Sequence, residues 1–271
     1  MRGEGLTVDA FGMTDRGVGR QINEDCIVLD HKTMLYMVAD GMGGHVGGGV
    51  ASRKAVSTVA YIMQRNIASY DTESLKHDEP LMGMIKEAIH TANREIYEYS
   101  RGETMGTTLS IAHFSNGKLY IAHIGDSRIY RVRKKRMEKL TEDHTEAHNL
   151  GKAGLIPPEK VENHRLSHVL TRALGSSKSA APDIASHAVE DGDVYLICSD
   201  GLFRVMGADE VGGVLAGKTS PEEKCTILMR EALRRGAPDN VSLIVVEAQG
   251  PISRIFSGMK RRFMLHKERT L

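Results

Sequence analysis

Six acidic residues stand where short apolar runs begin or end. Asp40 closes LYMVA, Asp126 follows LYIAHIG, Asp200 follows VYLICS, Asp239 and its neighbour Asn240 precede VSLIVVE, and Glu24 and Asp25 precede CIVL. One such residue is ordinarily a turn former, because a short carboxylate satisfies nearby backbone N–H groups. Six of them make a different case. A β-sandwich gathers strand ends at its two rims, so these carboxylates can converge. Like charges so close repel unless cations relieve them, and an all-oxygen donor set selects hard ions such as Mg²⁺ or Mn²⁺ over zinc or copper.

The glycines of DGMGGH, residues 40–45, fit that chemistry. Without a side chain at Gly41, its carbonyl can approach an ion closely, and the later glycines permit a tight turn into a helix starting near Val50. Phosphate-loop readings fail on spacing. A dinucleotide fingerprint from Gly41 needs glycine where Val46 stands, and no Gly-Lys-Ser/Thr follows. The histidine pair in HTEAH, 144–148, lacks the glutamate that a zinc protease places after the first histidine, so a structural or incidental role is expected.

The elements that must position these residues are short strands. CIVLD (26–30), MLYMVA (34–39), TTLSIAHF (107–114), KLYIAHIG (118–125), RIYRV (128–132), VYLICS (194–199) and VSLIVVE (241–247) have strand length, and SNG at 115–117 and GDS at 125–127 have hairpin spacing. Helical periodicity runs from Val50 to Asn66 and from Leu81 to Tyr99, and Pro221 with Gly236 brackets a third helix, Pro221 to Arg235. Helices grouped between runs of antiparallel strands predict two packed sheets with helices outside. No repeat or linker interrupts residues 1–250, which predicts one domain. Residues 146–185, rich in small and polar side chains, form an irregular excursion from it, as functional segments and tolerated insertions both do. The basic tail 251–271 has Ile252, Phe256, Met259 and Phe263 at helical spacing. It suits a helix docked on its own domain, a disordered end, or a weak contact with a partner or membrane surface.

Composition narrows the class. At 271 residues, 41% hydrophobic and 26% charged, the chain has material for a core, and a formal net charge of +1 predicts no general attraction to nucleic acid. No run of eighteen apolar residues occurs and MRGEGLTVDAFG lacks a signal-peptide core, so a cytoplasmic protein without an integral membrane segment is expected. Cys26, Cys198 and Cys225, an odd and scattered set, read as buried free thiols.

DRGVGRQINEDC (15–26), VADGMGGH (38–45), MGTTL (105–109), GDSRIY (125–130), LTEDHT (140–145), LTRALG (170–175), CSDGL (198–202) and DNVSLIVV (239–246) occur in that order. The series resembles the PPM family, the type 2C metal-dependent serine/threonine protein phosphatases, in its bacterial form. The resemblance implies an α+β fold, a four-layer α/β-β/α sandwich of two antiparallel sheets flanked by helices, with a binuclear Mn or Mg centre in the cleft between the sheets. It implies hydrolysis of phosphoserine and phosphothreonine in protein substrates by direct attack of water held between the two ions. By the same resemblance Asp40 bridges both ions, Glu24 and the Gly41 carbonyl complete one site, and Asp200 and Asp239 hold the other. Asp126 matches the ligand of a weaker third ion, Arg20 the phosphate grip, Asp25 an acid bonded to bound water, and Asn240 a residue that orients its neighbours. The 146–185 excursion falls where the family has its flap. Eukaryotic members carry histidine directly after the Asp-Gly pair as a proposed general acid. This chain has Met42 there, which leaves His45 as the candidate for that role. A catalytically silent, phospho-dependent binding module is the alternative, and the complete acidic set argues against it.

Overall fold

In the computed structural model of this protein, residues 7–43, 47–69 and 77–250 are described; His45 and the tail 251–271 lie outside them. Ten strands form two five-stranded antiparallel sheets. One runs β1 (Thr7–Asp15), β12 (Val241–Gln249), β11 (Val194–Cys198), β8 (Arg128–Arg133), β9 (Arg136–Lys139). The other runs β10 (Asp183–Ala188), β7 (Lys118–Ile124), β6 (Leu109–Ser115), β3 (Leu35–Ala39), β2 (Cys26–Asp30). A short ribbon, β4 (Gly41–Gly43) with β5 (Met105–Thr107), extends the second sheet's end.

Three apolar layers follow from the strand alternation. Tyr36, Val38, Ile121, Ile129, Tyr195, Ile197 and Ile244 fill the space between the sheets. On the outer face of the second sheet, Met37, Ile111 and Ala122 pack against α1 (Gly47–Ser69) and α2 (Asp78–Ser100). On the outer face of the first, Leu196, Leu243 and Val245 pack against α5 (Ala208–Leu215) and α6 (Pro221–Arg234). The result is the expected helix-sheet-sheet-helix sandwich. Local chemistry sets the helix ends. The Ser220 hydroxyl accepts from the Glu223 N–H at 3.2 Å while the Glu223 carboxylate accepts from the Ser220 N–H at 2.9 Å, with Pro221 in the first turn.

Several sequence expectations need correction. The GDS spacing is not a hairpin: β7 and β8 lie in different sheets, so residues 125–127 carry the chain across the sandwich. Of the two spacings, SNG does close a true hairpin, β6 to β7. Helix α1 starts at Gly47 rather than near Val50; Gly48 lies against Gly41, and the Gly49 N–H donates to Glu24. The excursion after Glu146 contains two short helices, α3 (Glu146–Lys152) and α4 (Pro158–Val161), and its last residues are already strand β10. Cys198 and Cys225 are buried free thiols, whereas Cys26 is half-buried. Among the described residues no helix is long and apolar enough to cross a membrane.

Candidate active site

The strand register brings the six acidic residues to one rim. Ala39 pairs with Cys26, Val38 with Ser110 and Leu109 with Ile124, so Asp25, Asp40 and Asp126 lie at the same end of the second sheet. Cys198 pairs with Arg128 and with Leu243, which places Asp200 and Asp239 at the matching end of the first sheet. Two connections that change sheet there, residues 16–25 and 125–127, carry Arg20, Glu24, Asp25 and Asp126 into the gap.

The carboxylates feel one another. Burial pushes the Asp40 carboxyl well above its ordinary range, and the charges of Asp25, Asp200, Asp126 and Asp239 push the same way. Asp25 is raised to about 7, first by burial and then by Asp200 and Asp239, against hydrogen bonds from Ser242 and Ser199 that lower it. Asp126 is raised to about 8 by burial, Asp200 and Asp143. Buried oxygens Oδ1 of Asp25 and Oδ1 of Asp200 have no hydrogen-bond partner among the described residues.

Neutral side chains fix this geometry. The Asn240 carbonyl oxygen accepts from the Glu24 N–H at 2.9 Å, and its amide donates to the carbonyls of Arg16 at 2.8 Å and Ile22 at 2.9 Å, pinning the loop from Arg16 to Glu24. Glu24 Oε1 accepts from the Gly49 N–H at the start of α1 at 3.2 Å, where a carboxylate suits the helix dipole. Gly41 has a steric reason the sequence reading did not contain: a Cβ there would lie 2.2 Å from the Gly48 carbonyl oxygen and 2.6 Å from that of Glu24. The Thr108 hydroxyl accepts from the Asp40 N–H at 2.9 Å and bonds the Ser127 hydroxyl at 2.6 Å, linking the Asp40 and Asp126 turns. Thr107 Oγ1 and the Thr108 N–H both donate to the Asp40 carbonyl at 2.9 Å.

Arg20 grips Asp239, with Nε and Nη2 each 2.9 Å from a carboxylate oxygen, and its side chain is half exposed. A second cation went unnoticed in the sequence. Arg204 donates to Asp200 through Nε at 2.9 Å and Nη2 at 2.5 Å, and stands 3.5 Å from Asp239. The four-residue spacing in DGLFR was its only signal. The two HTEAH histidines have different partners, with His148 3.7 Å from Glu142. His144 is buried, accepts the Gly125 N–H at Nδ1 at 3.1 Å, and meets Asp183 at Nε2 at 3.0 Å, so it props the turn before Asp126.

Residues 11–241 match the sequence profile of the protein phosphatase 2C family. The chain belongs to this family. It is a protein serine/threonine phosphatase acting on phosphorylated proteins. The serine/threonine phosphatase stp of Listeria innocua is 34% identical over 241 residues, 86% of this chain and 93% of that protein. The Mycobacterium tuberculosis serine/threonine phosphatase PstP/Ppp superposes with a TM-score of 0.79 at 31% identity, covering 89% of this chain and 99% of that one. A structure of the PstP catalytic domain in complex with two manganese ions gives a TM-score of 0.78 at 30% identity, over 90% of this chain and 100% of that one. In this structure no three of the described His, Cys, Asp and Glu side chains are yet close enough to hold an ion between them.

Proposed function

We propose that this 2C phosphatase removes phosphate from serine and threonine of cytoplasmic proteins by direct attack of water on phosphorus, at a centre for two Mn²⁺ or Mg²⁺ ions. The observation that carries the reading is the charge excess at the rim. Five aspartates and Glu24 face two arginines, and buried oxygens of Asp25 and Asp200 stay without a partner among the described residues. Hard divalent cations satisfy such an all-oxygen set, and the two manganese ions in the PstP relative support it. Asp40, Glu24, the Gly41 carbonyl, Asp200 and Asp239 would hold the pair, with Asp126 and Asp200 serving a weaker third ion. When bound, two such ions acidify water toward neutral pH and screen the phosphate's charge.

The protein's own groups do the rest. Arg20 exchanges Asp239 for the substrate phosphate, whose oxygens match its planar fork. Asp25, through its free Oδ1, accepts a hydrogen bond and orients water, and Asn240 keeps the loop from Arg16 to Glu24 in register. The Met42 thioether cannot protonate a serine or threonine oxygen, so that proton comes from water; His45 is the side chain to test against this. Residues 1–250 act as the catalytic domain. The 146–185 segment serves as a flap beside the cleft, tied in where Arg128 meets Glu162 at 3.2 Å. The basic tail 251–271 makes at most weak contact with a partner or membrane surface.

The test is phosphate release from a phosphothreonine peptide with Mn²⁺, repeated in EDTA. Turnover that stops on chelation and returns with Mn²⁺ is expected; full turnover after exhaustive chelation overturns the two-ion reading.

A further inference from the structure

Two of the seven large apolar side chains that are exposed among the described residues lie within two positions of Arg20: Val18 at 66% and Ile22 at 48% exposure. Neither joins any of the three apolar clusters. Their loop is nevertheless rigidly seated. The N–H groups of Val18 and Gly19 donate to the Ala237 carbonyl at 2.9 and 3.1 Å, and Asn240 holds the carbonyls of Arg16 and Ile22. Gly17, at φ +71°, and Gly19 lie flush on the next segment: a Cβ would come within 2.0 Å of the Asp239 carbonyl oxygen at Gly17 and 2.4 Å of the Pro238 oxygen at Gly19. With those two faces pressed down, the Val18 side chain stands 66% exposed beside Arg20, whose own side chain turns back onto Asp239. Folding gains little from Val18 and Ile22 where they stand, yet the backbone beneath them is fixed.

We infer that Val18 and Ile22 form an apolar recognition surface flanking the phosphate-binding Arg20. It selects substrate proteins with a large aliphatic side chain within two residues of the phosphoserine or phosphothreonine. This rests on the phosphatase reading of the rim and adds a substrate class to it. Positions 18 and 22 are each two residues from Arg20, at most ~7 Å of extended chain, and Arg20 reaches the rim through Asp239. An extended substrate backbone advances by a similar amount over two residues, so a side chain one or two positions from the phosphoresidue comes level with them. Burying an aliphatic group against an open surface should raise kcat/KM by about 3- to 10-fold, below the ~10–200-fold that a closed pocket gives per methylene.

The experiment compares phosphothreonine peptides that differ only in carrying leucine or serine at the two positions on each side of the phosphoresidue. They are assayed with Mn²⁺ on the full chain and on Val18→Ser, Ile22→Ser and the double variant, with thermal melts to confirm folding. Each variant is read as its leucine-to-serine ratio of kcat/KM, so changes in absolute turnover cancel. The wild-type ratio is expected at about 3 to 10, approaching one in the double variant. A wild-type ratio of one, or a ratio unchanged in the double variant, overturns the inference and leaves the phosphatase reading standing. Failure of every peptide overturns both. A dimer in sedimentation velocity that Val18→Ser abolishes would assign the surface to a second copy of the chain and also overturn the inference.

Discussion

The cleft rim and the root of the flap are both crowded with charge, and they treat the same residue type in opposite ways. At the flap root, Asp143 receives Arg128 through Nε and Nη2 at 2.7 to 3.1 Å, and Lys139 at 3.3 Å. Although burial raises its carboxyl, Arg128 and Lys139 outweigh that and hold it below the ordinary range. Asp183, likewise opposed by burial, is brought to about 2 by Arg172 and His144. At the rim, Asp25 and Asp126 stand at about 7 and 8. Burial alone does not separate the two regions, since Asp143 and Asp126 are both buried. The balance of charge does. The flap-root anions are matched by cations, whereas the rim carries surplus anions and oxygens without a partner among the described residues.

The sharpest way to break this contrast is Asp40→Asn. It should lower kcat/KM on a phosphothreonine peptide by about 10³-fold or more, because bound ions supply several kcal/mol of transition-state stabilisation. In EDTA the same variant should melt no lower than wild type, since it removes one of several repelling buried charges. A metal-free variant that melts far below wild type would make Asp40 a scaffold residue. Asp143→Asn is the mirror experiment. It leaves Arg128 without its buried partner, so a loss of about 3–5 kcal/mol in stability is expected with or without Mn²⁺, measured by urea denaturation. A loss confined to the Mn²⁺-free protein would erase the distinction between the regions.

The pH dependence of stability sharpens the comparison further. A carboxyl raised in the folded state binds its proton more tightly there than in the unfolded chain. Asp25 and Asp126 therefore contribute stability that is full below about pH 4 and declines as pH rises to about 7 and 8. Asp143 and Asp183 are lowered and act oppositely, their contribution being lost as pH falls below about 4. In EDTA, Tm should fall by at least a few degrees between pH 5 and pH 8, where about 1 kcal/mol moves a domain of this size by ~2–4 °C, and saturating Mn²⁺ should flatten that slope. The smallest effect belongs to Arg204. It competes for Asp200 from a partly exposed position, so Arg204→Ala should lower the Mn²⁺ concentration for half-maximal activity by only ~2- to 5-fold, in the range of an exposed ion pair. An increase would make Arg204 an aid to the ions rather than a stand-in for them.

Legibility in the sequence followed burial. The strands β3, β6, β7, β11 and β12 are buried almost throughout, and each was plain as an apolar run. Within the two five-stranded sheets, the strands that escaped notice, β1, β9 and β10, are all at edges, where one partner strand and a half-wet face leave little apolar signal; the three-residue ribbon strands β4 and β5 were too short to register. Gly12 in β1 looks like a strand breaker, yet a Cβ there would meet Leu29 at 2.9 Å and Ile244 at 3.0 Å, so it permits close approach of the sheets. Helix α5, eight residues with two fully buried side chains, was too short for its period to register.

The sequence by itself determined that six carboxylates would stand at strand ends, that oxygen-loving ions were the chemistry they suit, and that helices would cover two sheets. Residue type and local period carry that information, because each is written in neighbouring positions. Only the tertiary structure decided that GDS crosses between sheets, that Thr108 ties the Asp40 turn to the Asp126 turn, and that Gly17 and Gly19 press their loop down so that Val18 stands free. These depend on which strands pair and how closely two backbones approach. Such contacts join residues 19 to more than 200 positions apart, and no local pattern encodes them.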